Sequence, residues 1–181
     1  MTVPANDKPF QVPWQELARR AAATSQPDMT PLSPSDRDKL RRRLDAPGGW
    51  RLALTPREYA EYCNMGVVRS PEAVAQVEAV NREDLAQYRA DGVQPGHEDW
   101  GLQQYTEGVL AALTWATGRA LKAPLSGVQT ARPSHEQMWA EATLGEEIAR
   151  GQRASTLHRS YGTGVEAALL WLIARSDDPP I

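Results

Sequence analysis

Tyr105-Thr106-Glu107-Gly108-Val109-Leu110-Ala111-Ala112-Leu113-Thr114-Trp115 returns 56 positions later as Tyr161-Gly162-Thr163-Gly164-Val165-Glu166-Ala167-Ala168-Leu169-Leu170-Trp171. The shared pattern is Y-x-x-G-V-x-A-A-L-x-W. Each copy sets a glycine four residues before an alanine, Gly108 with Ala112 and Gly164 with Ala168. Positions four apart share one face of an α-helix, and small residues there let a second backbone come close. The repeat therefore describes how two helices pack, and it contains no reacting group.

Leu102, Tyr105, Val109, Ala112 and Ala116 form one apolar stripe at three- and four-residue steps. Leu157, Tyr161, Gly164, Val165, Ala168 and Leu172 form the second. Leu113 and Trp115 fall beside the first stripe, and Leu170 and Trp171 beside the second. The expected helices run near 98–117 and 155–175. The contact residues expected are Tyr105, Gly108, Val109, Ala112 and Trp115, with Tyr161, Gly164, Val165, Ala168 and Trp171. Each helix is preceded by another, which reads as a duplicated helical hairpin paired about a pseudo-two-fold axis. Apolar surface left over on the pair would drive homo-oligomer formation.

The flanking sequence supplies the other helices. Ser33 or Ser35 caps a helix to about Leu44, which Pro47-Gly48-Gly49 ends. Thr55, Pro56 and Glu58 make a capping box with proline at the first helical position, opening a short helix to about Asn64. Ser70-Pro71-Glu72 opens the next, carried to about Ala90 by Ala73, Val74, Val77, Val80 and Leu85. Residues 123–133 read as a loop, and Ser134 with Gln137 caps a helix to about Ala149. Alternating β-branched runs are missing, so the fold class expected is an all-α helical bundle over residues 35–181. Residues 1–34 carry Pro4, Pro9, Pro13, Pro27, Pro31 and Pro34 and read as a Pro-rich arm, with a short helix after Pro13 and with Phe10 and Trp14 as its docking residues.

The string Tyr105-x-x-Gly108-Val109-x-Ala111-Ala112-Leu113-x-Trp115, followed by Gly118 and Pro124-Leu125-Ser126-Gly127, resembles short segments of small uncharacterised helical proteins of GC-rich actinobacteria, their phages and mobile elements. That resemblance implies an accessory role in such an element and brings no activity with it.

Composition narrows the functional classes. The 181 residues carry a net charge of −3, against the broad basic surface that a general nucleic-acid coat needs. One cysteine, Cys63, leaves no internal disulfide and no cysteine-based zinc cluster. The first residues lack the apolar run of a signal peptide, and Ala167–Ala174 is too short to span a bilayer, so the location expected is cytoplasmic. No metal or other cofactor is expected: His97, His135 and His158 lack the Glu-x-x-His spacing of metal-binding bundles. No nucleophile elbow or phosphate-cradling glycine loop occurs, so an enzyme is not expected.

Two features bear on nucleic acid. Arg37, Lys39, Arg41, Arg42 and Arg43 crowd one helix, among Asp36, Asp38 and Asp45. Residues 54–80 have the outline of a helix-turn-helix, although its second helix opens with Glu72 where a cation would meet phosphate. The reading expected is thus a non-catalytic protein-interaction or assembly module that associates with itself or another protein. Its alternative is a small DNA-binding regulator. A third class is a small-molecule pocket between the repeat helices, lined by Trp115, Trp139 or Trp171.

Overall fold

The computed structural model describes residues 28–181. Among the described residues there are six α-helices: α1 Pro34–Asp45, α2 Pro56–Asn64, α3 Pro71–Ala90, α4 Trp100–Ala116, α5 His135–Ala149 and α6 Arg159–Leu172. A 3₁₀ turn, Gly49–Arg51, follows α1. The short helix expected after Pro13, with Phe10 and Trp14, lies outside the described residues. Among the described residues no helix is long and apolar enough to cross a membrane.

The local chemistry that starts these helices is the chemistry written in the sequence. Ser33, Thr55, Ser70 and Ser134 each accept a backbone N–H at the third helical position, and Thr55–Glu58 and Ser134–Gln137 close full capping boxes. Each such cap contributes on the order of 1 kcal/mol by pairing a donor the helix cannot satisfy. The second repeat helix starts later than expected, at Arg159, because the His158 side chain caps it by accepting from the Ser160 N–H. Leu157, expected in the apolar stripe, consequently precedes the helix and is exposed. Leu102, in the first turn of α4, is exposed as well.

In space the main helices lie in the order α3, α4, α6, α5, with α1 and α2 packed across one end. The two motif copies meet where α4 crosses α6. A β-carbon placed on Gly108 would overlap the Tyr161 carbonyl oxygen, and one placed on Gly164 would overlap the Tyr105 carbonyl oxygen. The contact is reciprocal: each glycine receives the carbonyl of the other copy's tyrosine. Backbone lies on backbone there, which only glycine permits. A second close approach follows on the other side of α6, where a β-carbon at Gly145 of α5 would stand 2.6 Å from the Gly162 carbonyl oxygen. The residue 56 positions before Gly145 is Arg89, and α3 has 20 residues against 15 for α5. The likeness of the two halves is visible in α4 and α6, while α3 and α5 differ in length and at this glycine.

Burial corrects one expectation. Leu113, Trp115 and Trp171, read as flanks, are as deeply buried as the stripes, with Trp115 only 1% exposed, while Leu170 stays half-buried. The reason is that α4 is covered by α6 on one side and α3 on the other, while α6 lies between α4 and α5. A helix enclosed on both sides buries more than one stripe. Tyr105 and Tyr161 stay half-buried at the edge of the crossing.

One buried cation joins the end of the bundle. Arg69, 6% exposed, donates from Nε to the Trp171 carbonyl at 2.9 Å, from Nη1 to the Asp45 carbonyl at 3.0 Å and from Nη2 to the Ser176 carbonyl at 2.5 Å. Asp45 and Asp177 supply carboxylates at 3.4 Å, so the charge is paired as well as hydrogen-bonded. One guanidinium thus bridges the last carbonyl of α1 and the Trp171 carbonyl of α6, which also accepts the Ala174 N–H. The C-terminal segment is held down further by Asn81, whose Nδ2 donates to the Pro180 carbonyl at 2.8 Å.

Gly108→Ala and Gly164→Ala are each expected to destabilise the chain by ~3 kcal/mol, the upper part of the overpacking range, because the obstacle is a backbone carbonyl. Gly101→Ala, on the same helix α4, meets the movable Ser160 hydroxyl at 3.3 Å and the His158 ring at an ordinary 3.8 Å, and should be neutral or slightly stabilising. Urea unfolding of the three variants checks this; equal effects at all three positions would contradict the close crossing.

Candidate functional site

The motif residues are brought together, and they are brought together inside. Gly108, Val109, Ala112 and Trp115 of α4 and Gly164, Val165, Ala168 and Trp171 of α6 are all buried in the main core. They are internal contacts, and of them Trp171 alone among the described residues also borders a cleft. The three tryptophans proposed to line one pocket are separated. Trp115 is core, Trp171 reaches a cleft beside α3, and Trp139 is exposed on α5.

The cationic helix α1 is largely occupied by its neighbours. Arg37 pairs with Glu61 at 2.5 Å, Lys39 with Asp36 at 3.0 Å and Arg43 with Glu58 at 2.5 Å. Arg41 donates to the Val67 carbonyl at 3.0 Å. Among the described residues only Arg42 of the five has no such partner. The Thr55 backbone N–H first, then Arg43, hold the Glu58 carboxyl below its ordinary range, so the Arg43–Glu58 pair stays charged. The helix-turn-helix outline is also drawn elsewhere: α2 packs on α1 and α5, while α3 packs on α4 through Val74 and Val77. The turn between them is drawn to the end of α6, where the Val68 N–H donates to the Leu172 carbonyl at 2.8 Å.

What the fold does expose is a groove of ≈ 360 Å³ across the ends of α1, α2 and α6. Trp50 and Leu52 from the 3₁₀ turn and its exit form one wall, Tyr59 and Tyr62 of α2 another, and Arg175 closes the third. Trp50 is 45% exposed, Tyr59 51% and, just beyond the rim, Trp139 44%. The Arg175 guanidinium carbon lies 5.1 Å from the Trp139 ring centre and 5.7 Å from that of Tyr62, and that of Arg51 lies 4.5 Å above Trp50. Among the described residues no acidic side chain lines the groove.

The floor is rigid. Tyr62, 3% exposed, donates its hydroxyl to the Ile173 carbonyl at 2.6 Å, and burial pushes its own ionisation above the ordinary phenol range. His135 meets the Tyr62 ring edge-on at 4.4 Å between ring centres. Its Nδ1 is buried with no hydrogen-bond partner among the described residues. Burial, and then the nearby Arg175 charge, lower His135 to about 4. Sequence reasoning missed this site, since Trp50, Leu52, Tyr59 and Arg175 lie far apart in the chain and share no spacing. The one available signal was a tryptophan directly after Pro47-Gly48-Gly49, in a turn where a large apolar side chain has little core to enter.

Among the described residues no group of three or more His, Cys, Asp and Glu side chains could hold a metal ion. Cys63 is half-buried, packed against the cluster of Leu40, Leu44 and Tyr62. No family model matches the chain, and no curated protein or solved structure is similar to it at a significant level.

The groove's support makes the fold sensitive to acid in a defined window. The folded chain holds His135 neutral down to about 4, whereas the unfolded chain protonates it near 6.5. Stability is therefore full above the unfolded value and falls on acidification toward the folded one, by up to ~1.4 kcal/mol per pH unit. Glu78, lowered from 4.5 to about 2 chiefly by Arg119, adds its own loss only below 4.5. Between 6.5 and 4.5 the histidine is opposed by Glu166, whose carboxyl is raised chiefly by burial and so gains stability on acidification; the difference between native and variant slopes isolates the histidine. His135→Gln should flatten the dependence of stability on pH there; an unchanged slope in that variant would contradict the assignment.

Proposed function

We propose that the chain is a non-catalytic protein-interaction module. Its groove between Trp50, Tyr59, Tyr62 and Arg175 takes an apolar side chain of a partner protein together with an adjoining carboxylate. The observation that carries this reading is the groove's composition: exposed tryptophan and tyrosine beside two arginines stacked on aromatic rings, with no acid among them. Trp, Tyr and Arg are the side chains that most often dominate binding energy at interfaces. Stacking holds both guanidiniums in place before a partner arrives, so less side-chain entropy is lost on binding.

Charge selects the kind of partner. Two copies meeting face to face through this groove would set Arg51 and Arg175 against the same residues of the other copy. A two-fold interface has to be self-complementary, and among the described residues that line the groove there is no carboxylate. The proposal therefore favours a different chain over self-association, and the cationic rim asks for an acidic segment. The volume admits one or two apolar side chains, in keeping with recognition of a short linear segment.

A short labelled peptide carrying Leu-Trp followed by Asp-Glu, and the same peptide with Lys-Lys in place of the acids, test the charge rule by fluorescence anisotropy. The acidic peptide is expected to bind, and Tyr59→Ala to weaken it about tenfold. Arg175→Glu should reduce binding of the acidic peptide and favour the basic one. Equal binding of the two peptides by the native chain, or none by either, would overturn the reading.

A further inference from the structure

A second cleft shares no lining residue with the groove, and it has a different chemistry. It has a volume of ≈ 730 Å³ and opens between the turn joining α2 to α3, the C-terminal end of α4 and the residues just before α5. Met65, Val67, Val74 and Ala116 give it an apolar bed. Arg41, Arg69, Arg119 and Arg132 line it as well, against one carboxylate, Glu78.

The pairing of these charges decides what is left over. Arg69 is spent on Asp45, Asp177 and three carbonyls. Arg119 grips Glu78 with both terminal nitrogens at 2.7 Å, and Arg82 adds a contact to the same carboxylate at 2.6 Å. Glu78 is thereby neutralised more than once over, and it cannot balance any other cation. Arg41 gives one donor to the neutral Val67 carbonyl and meets no carboxylate within 4 Å among the described residues. Arg132 is exposed and has neither a hydrogen-bond nor an ion-pair partner among the described residues. Two uncompensated guanidiniums thus line one cleft in a chain whose net charge is −3. Helix ends contribute with both signs, since α3 and α5 begin here and α4 ends here, so the arginines set the field.

The geometry points to this cleft as a binding site for a small phosphate monoester, with Arg41 and Arg132 on the phosphate and the organic part on the bed of Met65, Val67 and Val74. Planar guanidinium forks match phosphate oxygens, and an anion held beside apolar surface is shielded less by water than one on an open face. The volume is that of a ligand the size of a nucleotide. The site shares no residue with the aromatic groove and stands independently of the function proposed for it.

Isothermal titration of the full chain with adenosine monophosphate, inorganic phosphate and adenosine tests the assignment, with a DNA duplex as a further arm. The monophosphate is expected to bind more tightly than either of its halves. Arg132→Ala, which removes no contact within the described fold, should weaken it about tenfold, the effect of one lost charge-assisted contact. Arg41→Ala should do the same, with circular dichroism confirming that the fold survives the lost Val67 contact. Arg42→Ala, on the same helix but outside the cleft, should leave binding unchanged. Failure of the monophosphate to bind at millimolar concentration would overturn the site. So would equal losses in the Arg42 and Arg132 variants, or tighter binding of duplex that ignores Arg132.

Discussion

Two backbone carbonyls, those of Tyr105 and Tyr161, rest on two glycines, Gly164 and Gly108, and the rest of the bundle is arranged around that reciprocal contact. Helices held apart by ordinary side chains have axes about 8–10 Å apart. With no β-carbon at the crossing, α4 and α6 approach until main chain meets main chain, and Val109, Ala112, Val165 and Ala168 pack around the point of contact. Interior packing tolerates little change of volume, so this one distance fixes where α3 and α5 can lie on the outer sides of the pair. Gly145 and Gly162 repeat the device between α5 and α6. Three of the four central helices are thereby in close register through glycine.

The same closeness directs function outward. The crossing itself is filled and the tryptophans beside it lie in the core, so the clefts between α4 and α6 open only at its edge, beside Tyr105. Chemistry is left to the ends of the bundle, where helices stop and turns must be held. At one of these places Arg69 gathers the ends of α1 and α6 and the C-terminal segment, and the turn before α3 is drawn in with it. The aromatic groove and the arginine-lined cleft both include residues of this region, so two distinct cationic surfaces arise from one set of helix ends.

The sequence showed helix starts well and side-chain destinations less well. Ser33, Thr55, Ser70 and Ser134 are local signals, each complete within four residues, and the structure places a cap at all of them. The close crossing was legible because its two halves repeat. Trp115 and Trp171 were misplaced to the flank because a periodic stripe identifies one buried face and is silent about a second neighbour. The cation run of α1 could be read from composition, while its neutralisation by Glu58 and Glu61 depends on α2 folding against it. Arg69, Arg119 and Arg132 carry no motif. Their roles come from partners scattered along the chain, such as Glu78, 41 residues from Arg119.

Native-state hydrogen exchange on the full chain is the most direct test of the claim that the glycine crossing is the centre on which the fold depends. Amides of 105–113 in α4 and 161–169 in α6 should exchange only through global unfolding and share the highest protection in the molecule. Protection in α2 or α3 that exceeds theirs, or different opening energies for the two repeat segments, would contradict it.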